Sequence, residues 1–443
     1  MSNAKHSVKG LRIGRYRITP LGLGVLGALL LILIGIIVVA VFNPFGGADR
    51  PAKVQATPTI DPNEVTPTPT PKPTPSPTPV PEPRSARIRS LGEIAMQLNL
   101  LKDALDENAN DYEFSDMFSY ISDVMGNADY TVADVEGTLG GTKNVSGNGS
   151  QLITPPSLIG VLKDCGVDML TLANDHALDG GFDELKAEVQ NCATAGMDYV
   201  GAAASMEEKH TPVIKEINGI NVAFLAYTET LNGLTKNTDE AAIRYGVNLV
   251  TKSNANSDVK SAREAGADVV ICYVSWGKML DSKVTDTQKQ IAKVLVNAGV
   301  DVIIGYGPHL VQPAMWLEAP PAADGAVHRT LILLSAGNFL SDQRDKYTDS
   351  SVIFDFTIQE TGPATGEFTI TNPTYIPTYV WRNDEGGNKY TYHTLPVGKW
   401  LEEQPEGMVY TDVTRMREVW AEVQGIMNSN STDGSNVAEI APE

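Results

Sequence analysis

Apolar and polar positions alternate in two ways between about Arg87 and Asn428. Short apolar runs are typical of buried strands, and stretches of mixed polarity with helical spacing lie between several of them. We predict strands at residues 87–94, 130–135, 169–172, 222–227, 269–275, 300–305, 330–335 and 352–358. We predict helices at residues 156–165, 182–195, 258–265 and 285–298. This order predicts an α/β domain of layered sheets and helices.

A repeated unit joins three of the helices to the strands that follow them. Each unit has a glycine, one apolar residue and an aspartate before an apolar run, beginning at Gly166, Gly266 and Gly299. Glycine suits the C-terminal cap of a helix, and the apolar run suits a buried strand. Beyond Val352 the turn-forming residues 384–387 indicate hairpins, so we expect the later part to be β-rich.

The N-terminal part of the chain has a different pattern. Residues 21–42 contain no charge and no proline, and as a helix they would span roughly 33 Å, close to the apolar thickness of a bilayer. A cleaved signal peptide would have a shorter apolar region and a small-residue cleavage site, so we expect a single-pass transmembrane helix. Residues 1–20 carry five basic residues and no acid. We therefore expect the N-terminus inside and the rest outside, at a bacterial cell surface.

A proline-rich segment follows. Twelve of the 27 prolines fall between Pro51 and Pro83, and alternating proline favours an extended polyproline II stalk. Residues 51–86 could reach about 110 Å at ~3.1 Å per residue. We expect five parts: a basic cytoplasmic N-terminus (1–20), a transmembrane helix (21–42), a Pro/Thr-rich linker (43–86), an extracellular domain (87–428) and a polar tail (429–443).

Net charge restricts the partners of the outer domain. The whole chain carries -20, so the +5 of residues 1–20 leaves -25 for the remainder. A body this acidic is a poor partner for nucleic acid. It would also repel an anionic polymer unless a local basic cleft or a bridging cation intervenes.

Polar residues follow several predicted strands, and chemistry in α/β sheets gathers at such strand ends. The candidates are Glu93, Glu136, Asn174, Asp175, His176 and His309, with Trp276 and Asn338 in two further turns. Carboxylates, amide oxygens and imidazoles are suitable ligands for a divalent metal, and an aromatic wall would suit a polymer. A single histidine or asparagine in a turn can equally serve capping or packing, so the candidates gain weight only if they share one cleft.

Four blocks read ADYTVADVEGTL, LANDHALDGG, TQKQIAKVLVNAGVDVIIGYGPHLVQP and LLSAGNFLSDQ. In this order, from about Leu91 to Ile358, they resemble the CapA (poly-γ-glutamate capsule) family. The resemblance implies a fold similar to calcineurin-like metallophosphatases, which is an αββα sandwich with a metal site at its rim. It also implies a part in making, exporting or anchoring a surface polymer. The implied partners are an anionic polymer such as poly-γ-glutamate, or capsule-export proteins.

The chain departs from the family pattern at several ligand-type positions. Glu93 stands for an aspartate, Asp134 and Asp175 for asparagines, Ser275 for a histidine, and residues 306–307 for two more histidines. Missing imidazoles and a longer carboxylate weaken a two-ion site. We expect that a dinuclear site is not formed, and that at most one divalent ion is held, mostly by oxygen. We expect no other cofactor.

The residue roles follow from the resemblance, position by position. It implies catalytic roles for His176 and His309, substrate-binding roles for Asn174, Asp175, Trp276 and Asn338, and metal ligation by Glu93, Glu136, His176 and His309. We favour a membrane-anchored CapA-like protein with impaired metal-dependent catalysis. Two alternatives stay open, a non-catalytic wall-polymer binder or scaffold, and a single-metal phosphoesterase or amide hydrolase.

Overall fold

We describe the protein from a computed structural model, which separates into the units Met1–Pro77 and Thr78–Glu443. The structure describes residues 82–429 except 142–144, 234–239, 241, 322–324 and 326, and the backbone of Arg12–Ile13, Tyr16–Arg17 and Ala438–Glu439. The predicted transmembrane helix, nearly all of the linker and most of the tail lie outside these residues. Within the described part, no helix is both long and apolar enough to cross a membrane.

The secondary structure of the second unit is as follows. The strands are β1 (Ser85–Ala95), β2 (Leu105–Asp106), β3 (Asp111–Tyr112), β4 (Tyr130–Glu136), β5 (Ser146–Asn148), β6 (Gln151–Ile153), β7 (Met169–Thr171), β8 (Asp198–Val200), β9 (Val213–Ile217), β10 (Ile220–Thr228), β11 (Val269–Ser275), β12 (Val302–Tyr306), β13 (Val311–Glu318), β14 (Arg329–Ala336), β15 (Asn338–Leu340), β16 (Ser350–Glu360), β17 (Phe368–Gly386), β18 (Lys389–Pro396) and β19 (Ala438–Glu439). The helices are α1 (Leu98–Ala104), α2 (Ser122–Met125), α3 (Ser157–Asp164), α4 (Gly181–Ala195), α5 (Met206–Lys209), α6 (Lys252–Glu264), α7 (Asp286–Ala298), α8 (Val397–Glu403) and α9 (Tyr410–Met427).

The predicted strands and helices are all present, with ends that differ by one or two residues in every case but one. The exception is α6, which begins at Lys252 rather than near residue 258. Thr251 caps this helix by accepting a hydrogen bond from the backbone N–H of Asn254, and Ala255 is buried. The first two turns are mostly polar, so hydrophobic spacing did not reveal them.

Two mixed sheets face each other. The first has the order β8-β7-β4-β1-β16-β17-β18, with β15 paired to β1 and β19 to β17, and the second has the order β9-β10-β11-β12-β14-β13. Tyr130 of β4 stacks on Phe224 of β10 with ring centroids 5.2 Å apart. The hydroxyls of Ser90 and Tyr273 lie 3.1 Å apart across the same interface. The hydrophobic core therefore lies mainly between the sheets.

Helices cover the outer faces. In the second sheet the strands alternate, so that Ile271 of β11 points into the core shared with the first sheet, whereas Cys272 packs with Val259 of α6 and Leu295 of α7. Helices α3 and α4 share the core of the first sheet, for example through Leu185. The predicted α/β class is confirmed, and two facing sheets with outer helices match the expected αββα layering.

Parallel pairing brings the C-terminal ends of the strands that precede the candidate site residues to one edge of each sheet. In the first sheet β1, β4 and β7 run parallel, and Ala95 is the register partner of Glu136. In the second sheet β10, β11, β12 and β14 run parallel, and Ser275 is the partner of Tyr306. The loops after these strands consequently open at the same end of the sandwich.

Glu188 of α4 makes the stability of the domain depend on pH. Its side chain is fully buried, one oxygen accepts a hydrogen bond from the backbone N–H of Leu139, and the other has no hydrogen-bond partner. Burial raises its pKa from 4.5 to about 8. Because the folded pKa lies above the unfolded one, its contribution is fully present below pH 4.5 and is lost as pH rises towards 8.

We therefore expect Glu188→Gln to stabilise the domain above pH 8 by on the order of a few kcal/mol and to flatten the pH profile. Urea unfolding at several pH values between 5 and about 9 would measure this. Asp183→Asn, an exposed change at the start of the same helix, is the control. Equal slopes for Glu188→Gln and the wild type would show that this carboxyl does not set the pH dependence.

Candidate functional site

Four predicted ligand-type residues meet in one buried cluster. Glu93 lies near the end of β1 and Glu136 ends β4, while His176 follows β7 and His309 follows β12. Nδ1 of His309 contacts Oε1 of Glu93, and Nε2 of His309 lies 3.7 Å from Oε1 of Glu136. Nε2 of His176 lies 3.8 Å from the same oxygen. Each of the four is at most 3% exposed, so the expected convergence of the strand ends is present.

A bulge in β1 places the Glu93 side chain. The register of β1 against β4 shifts between Ser90 and Glu93, and the Glu93 N–H donates to the carbonyl of Gly337 at 2.9 Å. A Cβ on Gly92 would lie 2.6 Å from that carbonyl oxygen, so only glycine fits there. The Gly307 N–H donates to Oε2 of Glu93 at 3.1 Å and fixes the carboxylate.

His309 has an uncommon backbone conformation, and its ring contacts Asn338. Its φ of 59° lies in the left-handed region, which costs free energy for a residue with a Cβ and is typical of functional sites. Oδ1 of Asn338 lies 3.2 Å from Nδ1 of His309. The Asn338 amide group donates to Oε1 of Gln343 and to the Thr348 carbonyl, both at 3.0 Å. Both polar atoms of the Asn338 side chain are thus engaged, and these contacts orient the His309 ring, while the substrate-binding role of Asn338 stays a prediction.

His176 is oriented in the same way by two neighbours. Its Nδ1 lies 2.5 Å from Oδ2 of Asp179. Oδ1 of Asn174 accepts hydrogen bonds from the backbone N–H of Gly137 and of His176, and its amide group donates to the Val135 carbonyl. These contacts tie the loop after β7 to the end of β4. With these contacts, Nε2 of His176 is directed at Glu136. The Asn174 side chain helps to position the His176 backbone.

Several carboxyl groups of the cluster lie close together and are buried from solvent. Burial, together with the nearby Glu93, raises the pKa of Glu136 from 4.5 to about 8, against the opposing effect of the two imidazoles. Burial and Glu93 also raise the pKa of Asp134 well above 3.8. For His309, burial opposes protonation, but Glu93 and Glu136 outweigh it and raise its pKa to about 10. Bound protons or cations must therefore offset the repulsion between these buried carboxylates.

The side chains present fit a divalent cation. Potential ligand atoms lie within 4.8 Å of one another in two groups, Glu93 with Glu136 and His309, and Glu136 with Asp175 and His176. Each group consists of two carboxylates and an imidazole, a donor set that suits a divalent ion. Glu136 belongs to both groups and is the central ligand candidate. The side chains of both groups are in place, so the expectation that no two-ion site forms stays a prediction.

A cleft of about 60 Å³ leads to this cluster, lined by Asp175, Glu229, Thr230, Ser275, Trp276, Gly277, Met279, Gly307 and His309. Asp175, one of the predicted substrate-binding residues, contributes its carboxylate to the lining of this cleft. Trp276 also borders the cleft, but it is only 2% exposed and its indole N–H donates to the Leu334 carbonyl at 2.9 Å. Its ring packs in the core between the second sheet and its helices. Trp276 therefore forms part of the cleft wall with very little accessible surface.

Two acidic residues of the site were absent from the sequence-based set. Asp179 contacts His176, and Glu229 accepts a hydrogen bond from the Gly277 N–H at 2.9 Å at the rim of the cleft. Asp179 lies three residues after His176 within the block LANDHALDGG, and that spacing was the available signal. Glu229 follows β10 directly, at the same sheet edge as the other candidates.

Asp179→Asn should weaken metal binding without unfolding the domain. The carboxylate fixes the ring orientation of His176 and raises the basicity of its other nitrogen, and such contacts are worth about 10–100-fold in metal affinity. Titration of Mn²⁺ or Zn²⁺ into the metal-free protein would measure the loss. Asp183→Asn, an exposed change in the next helix, is the matched control. Equal affinities for both variants and the wild type would contradict the orienting role.

Comparison with known proteins identifies a protein family and related sequences. Residues 87–343, more than half of the chain, match the family described as bacterial capsule synthesis protein PGA_cap. The chain is 27% identical over 278 residues to the capsule biosynthesis protein CapA of Bacillus anthracis, with 62% of this chain and 64% of that protein covered. It is 28% identical over 261 residues to the PGA biosynthesis protein CapA of Bacillus subtilis (strain 168), covering 58% and 64%.

The chain thus matches less than two thirds of the length of these relatives. Among solved structures, the calcineurin-like phosphoesterase YfkN from Bacillus subtilis aligns with a TM-score of 0.41 and 14% identity, over 77% of this chain and 98% of that one. The family match covers β1 through β15, and it includes every residue of the buried cluster. The chain belongs to the bacterial capsule synthesis protein PGA_cap family.

Proposed function

We propose that this protein takes part in the biosynthesis, export or anchoring of a capsule polymer such as poly-γ-glutamate. The observation that carries the proposal is the family match over residues 87–343, since the two related proteins are described as capsule or PGA biosynthesis proteins. The buried cluster around Glu136 lies within the matched region. Fold alone would not support this role, so the proposal depends on the family and the site together.

The cluster would bind a divalent cation in this role. Glu93, Glu136 and His309 would hold it, and Asp175 with His176 would extend the ligand set. A bound divalent ion would supply Lewis-acid chemistry for hydrolysis or transfer at a phosphoryl or amide group. His176 and His309 can hold a proton near the cleft, since nearby carboxylates raise the pKa of both. A single-metal phosphoesterase or amide hydrolase is the second candidate, favoured by this built cluster.

The location belongs to the same proposal. The uncharged run at residues 21–42 would anchor the chain in the cell membrane, with the N-terminus inside, and the proline-rich residues 43–86 would hold the folded domain at the cell surface. Substituted ligand positions would leave metal-dependent catalysis impaired relative to the family. A wholly non-catalytic wall-polymer binder or scaffold would keep the anchor and the polymer contacts but bind no metal.

The test is a deletion strain of the source bacterium scored for surface polymer. We expect the polymer to be lost and to return with the wild-type chain, and to return less completely with His309→Ala if the metal site contributes. Metal analysis of the purified full chain accompanies it. Polymer that is unchanged by the deletion would overturn the proposed role. Full complementation by His309→Ala, with no metal bound at any stage, would instead support the scaffold.

A further inference from the structure

A cavity of about 390 Å³ lies at the side of the sandwich where both sheets have an edge strand. Strands β8 and β9, which end the first and the second sheet, both line it. Residues of β10, α5 and α6 complete the wall. None of its lining residues belongs to the cleft beside the buried cluster. Its volume is within the range of about 300–1,000 Å³ that is typical of sites for small ligands.

Apolar side chains form one part of the cavity wall. Met197, Val200, Phe224 and Leu225 border the cavity, and each of them is buried. The half-buried Val213 of β9 extends this apolar surface. An apolar group placed against these side chains would be removed from water, which favours binding. The cavity therefore suits a ligand that has an apolar part.

Two carboxylates of the wall are already engaged. The Asp198 carboxylate forms a salt bridge with the ammonium of Lys215. The Glu208 carboxylate accepts hydrogen bonds from the Tyr199 hydroxyl and, at 2.7 Å, from the backbone N–H of Ala204. Both donors to Glu208 are neutral, so its negative charge is not offset. This charge disfavours a ligand that carries anionic groups alone.

Lys209 is a lysine of the wall without an acidic partner. It is half-buried, its Nζ donates to Oδ1 of Asn248, and no carboxylate of the described residues lies within ion-pair distance. Burial lowers the pKa of Lys209, and the negative charge of Asp258 partly offsets this effect. The amide nitrogen of Asn248 donates to no residue in the described part of the chain. Lys209 and Asn248 thus have unused N–H donors at the cavity, which a carboxylate would accept.

Asp258 of α6 is the opposite case. Its Oδ2 accepts a hydrogen bond from the Tyr227 hydroxyl at 2.7 Å, whereas Oδ1 accepts none from the regions that the structure describes. Lys260, on the same helix, pairs with Glu264 instead. Asp258 acts on Lys209 electrostatically, but the two do not form an ion pair. One cavity therefore offers a free carboxylate oxygen and an ammonium with unused donors that do not satisfy each other.

We propose that this cavity binds a small zwitterion, namely an α-amino acid with an apolar side chain. The ligand carboxylate accepts hydrogen bonds from Lys209 and Asn248, and the ligand ammonium donates to Oδ1 of Asp258. The apolar side chain of the ligand packs against Phe224 and Met197. An anion alone would leave Asp258 without a partner, and a cation alone would leave Lys209 without one. The inference goes beyond the proposed function, because it uses no residue of the buried cluster and needs no metal.

Isothermal titration calorimetry of phenylalanine into the purified full chain in detergent tests the site. N-acetylphenylalanine lacks the ammonium, and phenylalanine amide lacks the carboxylate. Each should bind at least about tenfold more weakly than phenylalanine, because each loses one charge-assisted contact. Glutamate should also bind more weakly, because its second carboxylate would meet the apolar wall and the Glu208 charge.

Two variants separate the two contacts. Lys209→Met and Asp258→Asn should each reduce the affinity for phenylalanine about tenfold. Asp258→Asn should no longer discriminate against N-acetylphenylalanine, because the partner of the ligand ammonium is neutral, and it keeps an acceptor for the Tyr227 hydroxyl. Lys260→Met removes an exposed ammonium from α6 and is the matched control. Its affinity should equal that of the wild type.

Several results would overturn the site. Failure of both phenylalanine and leucine to bind the wild type at millimolar concentration would do so. N-acetylphenylalanine that binds as tightly as phenylalanine would end the assignment of a zwitterion, and glutamate that binds as tightly would end that of an apolar side chain. Wild-type affinity in Asp258→Asn would contradict the contact with the ligand ammonium even if Lys209→Met fails to fold. An equal loss in Lys260→Met would show a general effect of charge and no specific site.

Discussion

Replacing Arg89 with methionine will destabilise the domain by about 3–5 kcal/mol, because it leaves Asp355 as an uncompensated charge in the core. Arg89 lies in the central strand β1, donates to both oxygens of Asp355 and also binds the Val124 carbonyl. The salt bridge is buried, with side chains 2% and 3% exposed. Urea unfolding of the two proteins at pH 7 would measure the difference.

Removing both partners should recover most of this loss. In Arg89→Met/Asp355→Leu no charge is left in the core, and apolar side chains of similar size often replace buried ion pairs at little cost. Lys289→Ala, which breaks an exposed pair with Asp286, should change stability by less than about 1 kcal/mol. A single variant as stable as the wild type, or a double variant no better than the single, would contradict the importance of this pair.

Glu136→Gln should abolish tight divalent-metal binding and yet stabilise the metal-free protein at alkaline pH. Glu136 belongs to both groups of ligand atoms, and a neutral amide is a weak ligand. Its folded pKa of about 8 lies above 4.5, so its stabilising contribution is present below pH 4.5 and is lost as pH rises to 8. Metal analysis after dialysis and unfolding in chelator above pH 8 would measure the two effects.

Glu188→Gln provides the matched control for this change. Glu188 is also a buried carboxyl whose pKa is raised to about 8, but it belongs to neither ligand group. The Glu188→Gln variant should show the same gain in stability at alkaline pH and should keep the bound metal. A Glu136→Gln protein that retains stoichiometric metal would show that the buried cluster is not the binding site.

The sequence predicted the interior of the fold better than its edges. Strands such as β11 and β12 are buried on both faces, so they appear as continuous apolar runs. The edge strands β9 and β13 of the second sheet were missed, because they are partly exposed and mix polar residues with apolar ones. Pro313 within β13 further weakened the strand pattern, although proline is tolerated on an edge strand.

The site could be predicted as a set of residues but not as a set of roles. Glu93, Glu136, His176 and His309 converge because parallel strands end at one edge. Whether Asn338 binds a substrate or orients His309 depends on its hydrogen-bond partners at Gln343 and Thr348, which only folding brings together.

The place where the chain enters the folded unit determines how that unit responds to a mechanical load. Arg84 binds both carboxylate oxygens of Glu360 and the Gly219 carbonyl, and β1 then runs between β4 and β16. A pull on the segment before Arg84 would act along β1, so the backbone hydrogen bonds on both flanks would bear the tension together in shear. Resistance to pulling would be set by the unfolding rate under force, and the Arg84–Glu360 clamp would be the first contact to yield.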